Sequence, residues 1–223
     1  AVLLKTTFAL RMLHSVGTQV RDFLMEGDIW QVRENMRSLV SRDVSNLSAE
    51  QAVAGAVESV SENITDSVIG PLLAFAIFGL PGAVAYRAVN TLDSMVGYHG
   101  HYEYLGKASA RLGDLVNLVP ARLTALLLVA ASAVLPGQCV SAAWRIMWRD
   151  RHNTESPNAG WTMSGMAGAL GVQLEKAGHY RLGDPTRPLL PKDIDRAVQT
   201  MYAVTGLSLL IAVSIIFLRE GIF

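Results

Sequence analysis

The chain has 223 residues, of which 51% are hydrophobic and 17% charged, and its 19 basic and 19 acidic side chains cancel to a net charge of zero. This composition is too apolar for a disordered chain and too neutral for binding nucleic acid through a basic face, so we expect no nucleic acid among its partners. A mean hydropathy of +0.30 is high for a soluble domain.

The first 60 residues are predicted to form amphipathic helices that do not span a membrane. Their apolar residues, for example from Phe8 to Val16, follow a period near 3.6, with arginines on other faces. Such helices lie against a partner or on a membrane surface. Ser48 with Gln51 three residues later predicts a capping box at the start of the next helix.

Three windows of about 20 or more residues carry no charged side chain, at residues 67–86, 123–144 and 197–218. Each is long enough to cross roughly 30 Å of hydrocarbon. The first contains Gly79-Leu-Pro-Gly and the second Leu135-Pro-Gly, so each is either a kinked span or a re-entrant hairpin. The third is predicted to be an uninterrupted span. We therefore predict an all-α, polytopic integral membrane protein with kinked or re-entrant apolar helices.

The choice between spans and hairpins decides which polar segments share a side of the membrane. If both broken windows are hairpins, residues 45–66, 87–117 and 145–196 all meet on one side; if both are spans, the segments flanking the first window lie on opposite sides. A cluster of arginines follows the second window and indicates that its exit is cytoplasmic. These arginines are Arg145, Arg149 and Arg151.

Three carboxylates precede the first window. Glu58, Glu62 and Asp66 are spaced four residues apart and form one acidic stripe on a helix, with Asn63 beside it. Like charges at this spacing destabilise a helix, and a bound cation relieves the repulsion. Oxygen ligands without His or Cys favour Mg²⁺. The alternative is a solvated acidic face that pairs with arginines elsewhere.

A second polar face follows the same window. Arg87, Asn90 and Asp93 are three residues apart, so a helix presents a guanidinium, an amide and a carboxylate on one side. Polar residues near membrane depth are costly and mark functional sites. The alternative is an internal network between Arg87 and Asp93 that only holds helices together.

Basic residues continue the polar segment towards the second window. Lys107, Arg111 and Arg122 are close enough in sequence to hold a phosphate together. Alternatively, Arg111 forms a helix salt bridge with Asp114, and Arg122 extends to the membrane interface.

The segment Ser156-Pro-Asn-Ala-Gly160 is predicted to be a turn that leads into a helix over residues 161–174. The free amides at that helix N-terminus suit an anion. The alternative is a turn followed by a packing helix, whose small residues let another backbone approach closely. These small residues are Gly165, Gly168 and Gly171.

Two further features are expected to be structural. The single cysteine, Cys139, excludes a disulfide framework and is expected to be a small core residue. His99 and His101 are separated by one residue, which is a poor spacing for a metal pair outside a strand, so they are expected to be ordinary loop residues.

Longer motifs occur in order between about residues 30 and 185. They are Glu58-Ser-Val-Ser-Glu62-Asn63-Ile-Thr-Asp66, Gly70-Pro71-Leu72, Gly79-Leu-Pro81-Gly82, Asn90-Thr-Leu-Asp93-Ser-Met-Val-Gly97-Tyr98, Ala110-Arg111-Leu, Asn117-Leu-Val-Pro120-Ala-Arg122-Leu-Thr, Ser156-Pro-Asn158-Ala-Gly160 and Ala167-Gly-Ala-Leu-Gly171. Together they closely resemble the adenosylcobinamide-phosphate synthase family of cobalamin biosynthesis.

The resemblance implies a multi-pass enzyme of the inner cell membrane, with its active site on the cytoplasmic side, that joins aminopropanol or its O-phosphate to adenosylcobyric acid. It implies that the amide forms at the expense of ATP, with Mg²⁺ as a further cofactor. It also implies that the protein contacts the lipid bilayer and has other corrinoid-pathway membrane enzymes as further partners. A membrane transporter and a structural membrane subunit of a corrinoid pathway remain as alternatives. A transporter would also place acidic residues and broken helices at membrane depth, and a structural subunit would tolerate alanine at Glu62 or Asp93 with no loss beyond stability.

Site residues follow from the resemblance and from the chemistry of the side chains. Metal binding and acid/base chemistry are expected of Glu58, Glu62, Asp66 and Asp93, of which the last three are the expected metal ligands. Substrate binding is expected of Asn63, Asn90, Lys107, Arg111, Asp114, Asn117, Arg122, Ser156 and Asn158.

The sequence departs from the family pattern at two positions. Gly113 stands where an aspartate is common before Asp114, which puts one metal or proton-handling carboxylate in doubt, and Ser67 stands where a glycine is common. The family's apolar N-terminal region is not found in this sequence, so we expect a truncated chain. Residues 1–223 are expected to form a single membrane-embedded domain.

Overall fold

A computed structural model describes residues 2–40, 43–96 and 103–222 of the chain. Helix makes up 74% of the structure, which confirms the all-α prediction. The elements are α1 (Val2–Lys5), α2 (Leu10–Glu26), α3 (Ile29–Met36), α4 (Ala49–Ile64), a π-helical turn (Thr65–Ile69), α5 (Gly70–Val96), α6 (Glu103–Ala131), α7 (Val140–Asp150), α8 (Ala159–Leu170), β1 (Leu174–Lys176), β2 (Tyr180–Leu182) and α9 (Lys192–Ile222).

The two short strands form an antiparallel pair in which Leu174 lies opposite Leu182. Both leucines are buried, and they contribute to the core beside α4 and α8. The sequence did not predict this pair, because three residues per strand are too few to establish an alternating pattern.

The first helices are amphipathic, as predicted. Helix α2 buries Leu13 and Val20, and α3 buries Val32 and Met36, while their other faces are largely exposed. Both helices pack on α4. The sequence predicted that these helices lie against a partner or on a membrane surface, and in the structure their buried faces pack against α4 of the same chain.

Helix α4 is not amphipathic as predicted for the first 60 residues, because it is buried on all sides over residues 52–61. The capping box at its start is confirmed: Ser48 Oγ accepts from the Gln51 amide at 3.2 Å, and Gln51 Oε1 accepts from the Ser48 amide at 2.9 Å. Its small residues Ala, Gly, Ser and Val let α2, α8 and α9 approach closely on every face. The helix is thus the centre of the core.

The first apolar window is a helical hairpin. Helix α5 reverses at Gly79, whose φ of +68° is a conformation that only glycine adopts without strain. The two arms then run antiparallel: a Cβ added to Gly82 would lie 2.7 Å from the carbonyl oxygen of Ala74, and one added to Gly70 would lie 2.0 Å from the ring of Tyr86. The polar segments before and after this window therefore lie together.

The second window also folds back. Helix α6 ends at Ala131, the chain turns through residues 132–139, and α7 packs antiparallel to α8, with the Cys139 amide bonded to the Ala169 carbonyl at 3.0 Å. Because α6 runs parallel to α8, α7 returns along α6. Gly137 in the turn has a φ of +73°. Cys139 is exposed at this turn, so the expectation that it is a core residue was wrong.

Three helical stretches of the described chain are long and apolar enough to cross a membrane: Ala49–Met95, Gly106–Ala131 and Lys192–Gly221. The first of them contains the hairpin at Gly79. The predicted third span is confirmed as one continuous helix, α9, which buries Met201 in the core and exposes Leu210 and Phe217. Arg219 near its end lies 3.4 Å from the Ala76 carbonyl, so the hairpin tip is beside the C-terminal end of α9.

Candidate functional site

Three carboxylates from two arms of the fold line a common wall. Glu62 lies in the last turn of α4, Asp66 lies in the π-helical turn, and Asp93 lies on the returning arm of α5. The hairpin register brings Asp93 back to the level of Glu62. Glu62 is exposed to the cavities described below, and Asp66 and Asp93 are half-buried. Glu58, one turn earlier, is only 4% exposed and does not line these cavities.

The π-helical turn lies within this site. Its backbone hydrogen bonds connect residues five apart, as in the bond from the Gly70 amide to the Thr65 carbonyl oxygen. Such π-helical turns are frequent at functional sites. The turn lies between the end of α4 and Gly70, where the first arm of α5 begins.

One cavity of about 280 Å³ lies between the carboxylates and α6; we call it the aspartate cavity. Asp114 accepts from Ser156 Oγ and from Asn158 Nδ2, both at 3.2 Å. Asn117 donates to Asp66 at 3.0 Å. The other residues that line the aspartate cavity include Glu62, Asp93, Glu155 and Thr162.

A second cavity of about 590 Å³ lies on the other side of the same three carboxylates; we call it the arginine cavity. Arg87 Nη1 donates to Asn90 Oδ1 at 3.2 Å and lies 3.5 Å from Ser67 Oγ. The predicted face of Arg87, Asn90 and Asp93 is therefore directed into one cavity, and the arginine bonds to Asn90 rather than to Asp93. Arg37 and Asn63 also line it.

The three cations predicted to hold a phosphate together do not converge. Arg122 donates to Asn158 and lies 5.0 Å from the ring centroid of Trp161, so it fixes the α7–α8 loop on α6. Arg111 is exposed, and neither it nor Lys107 lines the two cavities. Asp114 bonds to the α7–α8 loop, and the alternative pair with Arg111 is not formed within the described residues.

The N-terminus of α8 is already capped by a hydroxyl. Ser156 Oγ accepts from the amides of Asn158 at 3.2 Å and Ala159 at 3.5 Å. The helix covers Ala159–Leu170 rather than residues 161–174. A Cβ at Gly168 would lie 2.6 Å from the Ala142 carbonyl oxygen. These contacts are those of the alternative, a turn and a packing helix, and anion binding here stays a prediction.

Two residues of the site were missed by the sequence argument. Tyr86 donates to Asn117 Oδ1, which links the hairpin to α6. Its position as the last residue of an apolar window, beside Arg87, was the available signal. Arg37 directly follows α3, and nothing in its local sequence indicated that it lines the arginine cavity.

The two departures from the family pattern both lie at the site. A Cβ at Gly113 would lie 2.8 Å from Asp93 Oδ2, so a larger residue there would displace that carboxylate. Ser67 donates to Asn63 at 3.1 Å. His99 and His101, together with Gly97 and Tyr98 of the family motif, lie outside the described residues.

The donors of the common wall suit a hard cation such as Mg²⁺, because they are carboxylate oxygens with amides beside them. No three His, Cys, Asp or Glu side chains within residues 2–40, 43–96 and 103–222 converge as the ligands of one metal ion would. Magnesium commonly binds through one or two carboxylates with waters and substrate phosphates, so the wall fits that mode rather than a complete protein cage.

An ion-pair network fixes the end of α7 near the α7–α8 loop. Arg149 donates to Asp150 at 2.7 Å and to Asp184 at 2.7 Å, and Asp150 accepts from the Gly183 amide at 2.8 Å. Burial opposes ionisation of Asp150, but these hydrogen bonds outweigh it and hold the pKa of Asp150 below its usual range. The same contacts raise the pKa of Arg149.

Comparisons with known proteins identify relatives along nearly the whole chain. A family model described as CobD/Cbib protein matches residues 1–201. The cobalamin biosynthesis protein CobD of Dehalococcoides mccartyi is 49% identical over 97% of this chain and 70% of that protein. The protein of the same name from Geobacter metallireducens is 46% identical over 93% and 68%, respectively.

The cobalamin biosynthesis protein CbiB of Salmonella paratyphi B is 40% identical over 92% of this chain and 66% of that protein. The chain thus spans about two thirds of the length of these relatives. No solved structure matches it significantly.

Proposed function

Because the chain belongs to the CobD/Cbib family and so has a role in cobalamin biosynthesis, we propose that it is an adenosylcobinamide-phosphate synthase. It joins aminopropanol, or its O-phosphate, to adenosylcobyric acid in an amide bond at the expense of ATP. The observation that carries this proposal is the wall of Glu62, Asp66 and Asp93 shared by two polar cavities. Two cavities at one reactive wall suit a reaction that brings two substrates together.

The reaction requires an activated carboxylate. Transfer of the terminal phosphoryl group of ATP to the propionate oxygen gives an acyl phosphate and ADP, and the amine then attacks the acyl carbon and expels inorganic phosphate. The amine loses one proton, which Asp93 accepts, since it faces both cavities. Mg²⁺ held by carboxylates of this wall would neutralise phosphate charge.

The remaining residues position the substrates. Asn117 and Tyr86 fix Asp66, and Asp114 orients Ser156 and Asn158 at the edge of the aspartate cavity. Amide formation also requires exclusion of water, because water competes with the amine for an acyl phosphate. We expect the apolar arms of α5 and the apolar part of α6, which adjoin the wall, to limit the access of water.

We propose that the site faces the cytoplasm from the inner cell membrane. ATP and the corrin substrate are cytoplasmic, and both hairpins bring their flanking polar segments to the same end of the molecule. The arginines that follow the second window support this orientation.

The proposal is tested by feeding a corrinoid auxotroph that lacks its own family member. We expect wild type to restore growth on cobyric acid, and Glu62→Gln and Asp93→Asn to grow only on cobinamide. Glu26→Gln, an exposed acid at the end of α2 that lines neither cavity, is the matched control and should behave as wild type. Growth of wild type on cobinamide alone would contradict the proposal, and corrinoid uptake without ADP formation would favour a transporter.

A further inference from the structure

The two cavities differ in charge although they share a wall. None of the described residues that line the aspartate cavity is basic, whereas the arginine cavity contains Arg37 and Arg87. The cations expected from the sequence to hold phosphate do not line either cavity, and Arg122 is bound to Asn158. A phosphate group that reaches the carboxylate wall therefore finds compensating positive charge on one side only.

The arginines have donors to spare. Arg87 uses Nη1 for Asn90 and Ser67, and within the described residues its Nη2 and Nε donate to no partner. A guanidinium with a free edge binds phosphate through two parallel hydrogen bonds. Arg37 donates to Glu34 at 3.0 Å, but both side chains are exposed, and such surface pairs contribute little and rearrange readily.

The neighbouring groups favour an anion with one defined orientation. Asn90 accepts a hydrogen bond from Arg87, and Asn63 lines the same cavity. The carboxylates of Glu62, Asp66 and Asp93, which line the same cavity, repel a bare phosphate. We therefore expect a phosphate in this cavity to bind against the arginines with its reacting side towards these carboxylates, and a divalent cation held by them would lower the remaining repulsion.

We propose that the arginine cavity binds the phosphate group of a substrate through Arg37 and Arg87. This inference rests on the proposed function, which supplies two sources of that group: the polyphosphate of ATP and the O-phosphate of the amine. The aspartate cavity, whose described lining side chains are acidic or neutral, is then left for the uncharged or cationic part of the other substrate.

Equilibrium binding to the purified protein in detergent tests the proposal without turnover. ATP and aminopropanol O-phosphate are titrated separately into wild type, Arg87→Met and Arg37→Met. We expect Kd for one of the two to rise about 10- to 100-fold in Arg87→Met, as for the loss of a hydrogen bond to a charged group, and about 3- to 10-fold in the exposed Arg37→Met. Which ligand weakens identifies the source of the phosphate.

Arg181→Met is the matched control, because that arginine is 70% exposed, pairs with Glu175 and lines neither cavity. Unchanged Kd for both ligands in both variants overturns the proposal. If Arg87→Met does not elute as a folded protein, Arg37→Met carries the test. If the variants weaken ATP binding but the wild type forms no amide, the proposed reaction alone is refuted. If the wild type forms the amide but Kd is the same in wild type and variants for both ligands, this inference alone is refuted.

Discussion

The ring of Tyr86 lies directly over the α-carbon of Gly70. A Cβ at Gly70 would be 2.0 Å from both Cζ and Oη of that ring, so the two hairpin arms approach each other as closely as a glycine permits. The same hydroxyl donates to Asn117, which in turn holds Asp66. One close contact between apolar arms thereby fixes a carboxylate of the site.

Replacement of Gly70 tests this relationship. We expect Gly70→Ala to lower the free energy of unfolding by about 1–3 kcal/mol, because the ring must move off its position and leave Asn117. Gly206→Ala in α9 is the control, since no atom lies within 4 Å of its added Cβ. It should be neutral or stabilising by up to about 1 kcal/mol. Equal unfolding midpoints for the two variants would contradict the hairpin contact.

The Tyr86–Asn117 hydrogen bond is expected to couple the hairpin to α6. In a double-mutant cycle, Tyr86→Phe and Asn117→Ala should each destabilise the protein, but the double variant by less than their sum, because either single change leaves a buried polar partner unsatisfied. The expected coupling is about 0.5–3 kcal/mol in chemical unfolding. Additive effects would show that the two side chains act independently.

We expect helix α8 to tolerate an added methyl group at Gly165 but not at Gly168. A Cβ at Gly168 would lie 2.6 Å from the Ala142 carbonyl oxygen, whereas one at Gly165 would be no closer than 3.5 Å to Leu128. Gly168→Ala should therefore destabilise the protein by at least about 1–3 kcal/mol through separation of α7 from α8. Gly165→Ala should be near neutral in the same thermal unfolding assay.

Both hairpins predict that the polar segments share one side of the membrane. With Cys139→Ala as background, Glu50→Cys, Ser94→Cys and Asn153→Cys place thiols at exposed positions before the first hairpin, between the two hairpins and after the second. A membrane-impermeant maleimide should label all three in inside-out vesicles and none in intact cells. Labelling of Glu50→Cys and Ser94→Cys from opposite sides would show that the first window crosses the membrane, and labelling of Ser94→Cys and Asn153→Cys from opposite sides would show that the second does.

The lowered pKa of Asp150 predicts a stability contribution that depends on pH. Because this carboxyl binds its proton less readily in the folded than in the unfolded chain, its contribution is complete above the unfolded pKa, near 3.8, and is lost as the pH falls through the folded value. The difference in unfolding midpoint between wild type and Asp150→Asn should therefore be constant from about pH 5 to 7 and narrow below about pH 4. A pH-independent difference would contradict this assignment.

Parts of the site were accessible from sequence because they depend on local spacing. Glu62 and Asp66 share a helix face, and Asp93 follows the next window, so the family motifs and the helical period both selected them. The phosphate-binding cations were not accessible in this way. Lys107 and Arg111 are close to Asp114 in sequence, but α6 directs Asp114 and Asn117 to the cavity and leaves Arg111 exposed.

By itself, the sequence determined the helical class, the three apolar windows, the capping box at Ser48 and the family, because these follow from residue order along a single helix or motif. Only the tertiary structure decided that the two windows broken by Leu-Pro-Gly turn back, and that Arg37 and Arg87 face the carboxylates. The physical reason is that a Leu-Pro-Gly break permits both a kink and a reversal. The close packing of Gly70 against Tyr86, 16 residues apart, is possible only in the reversed chain.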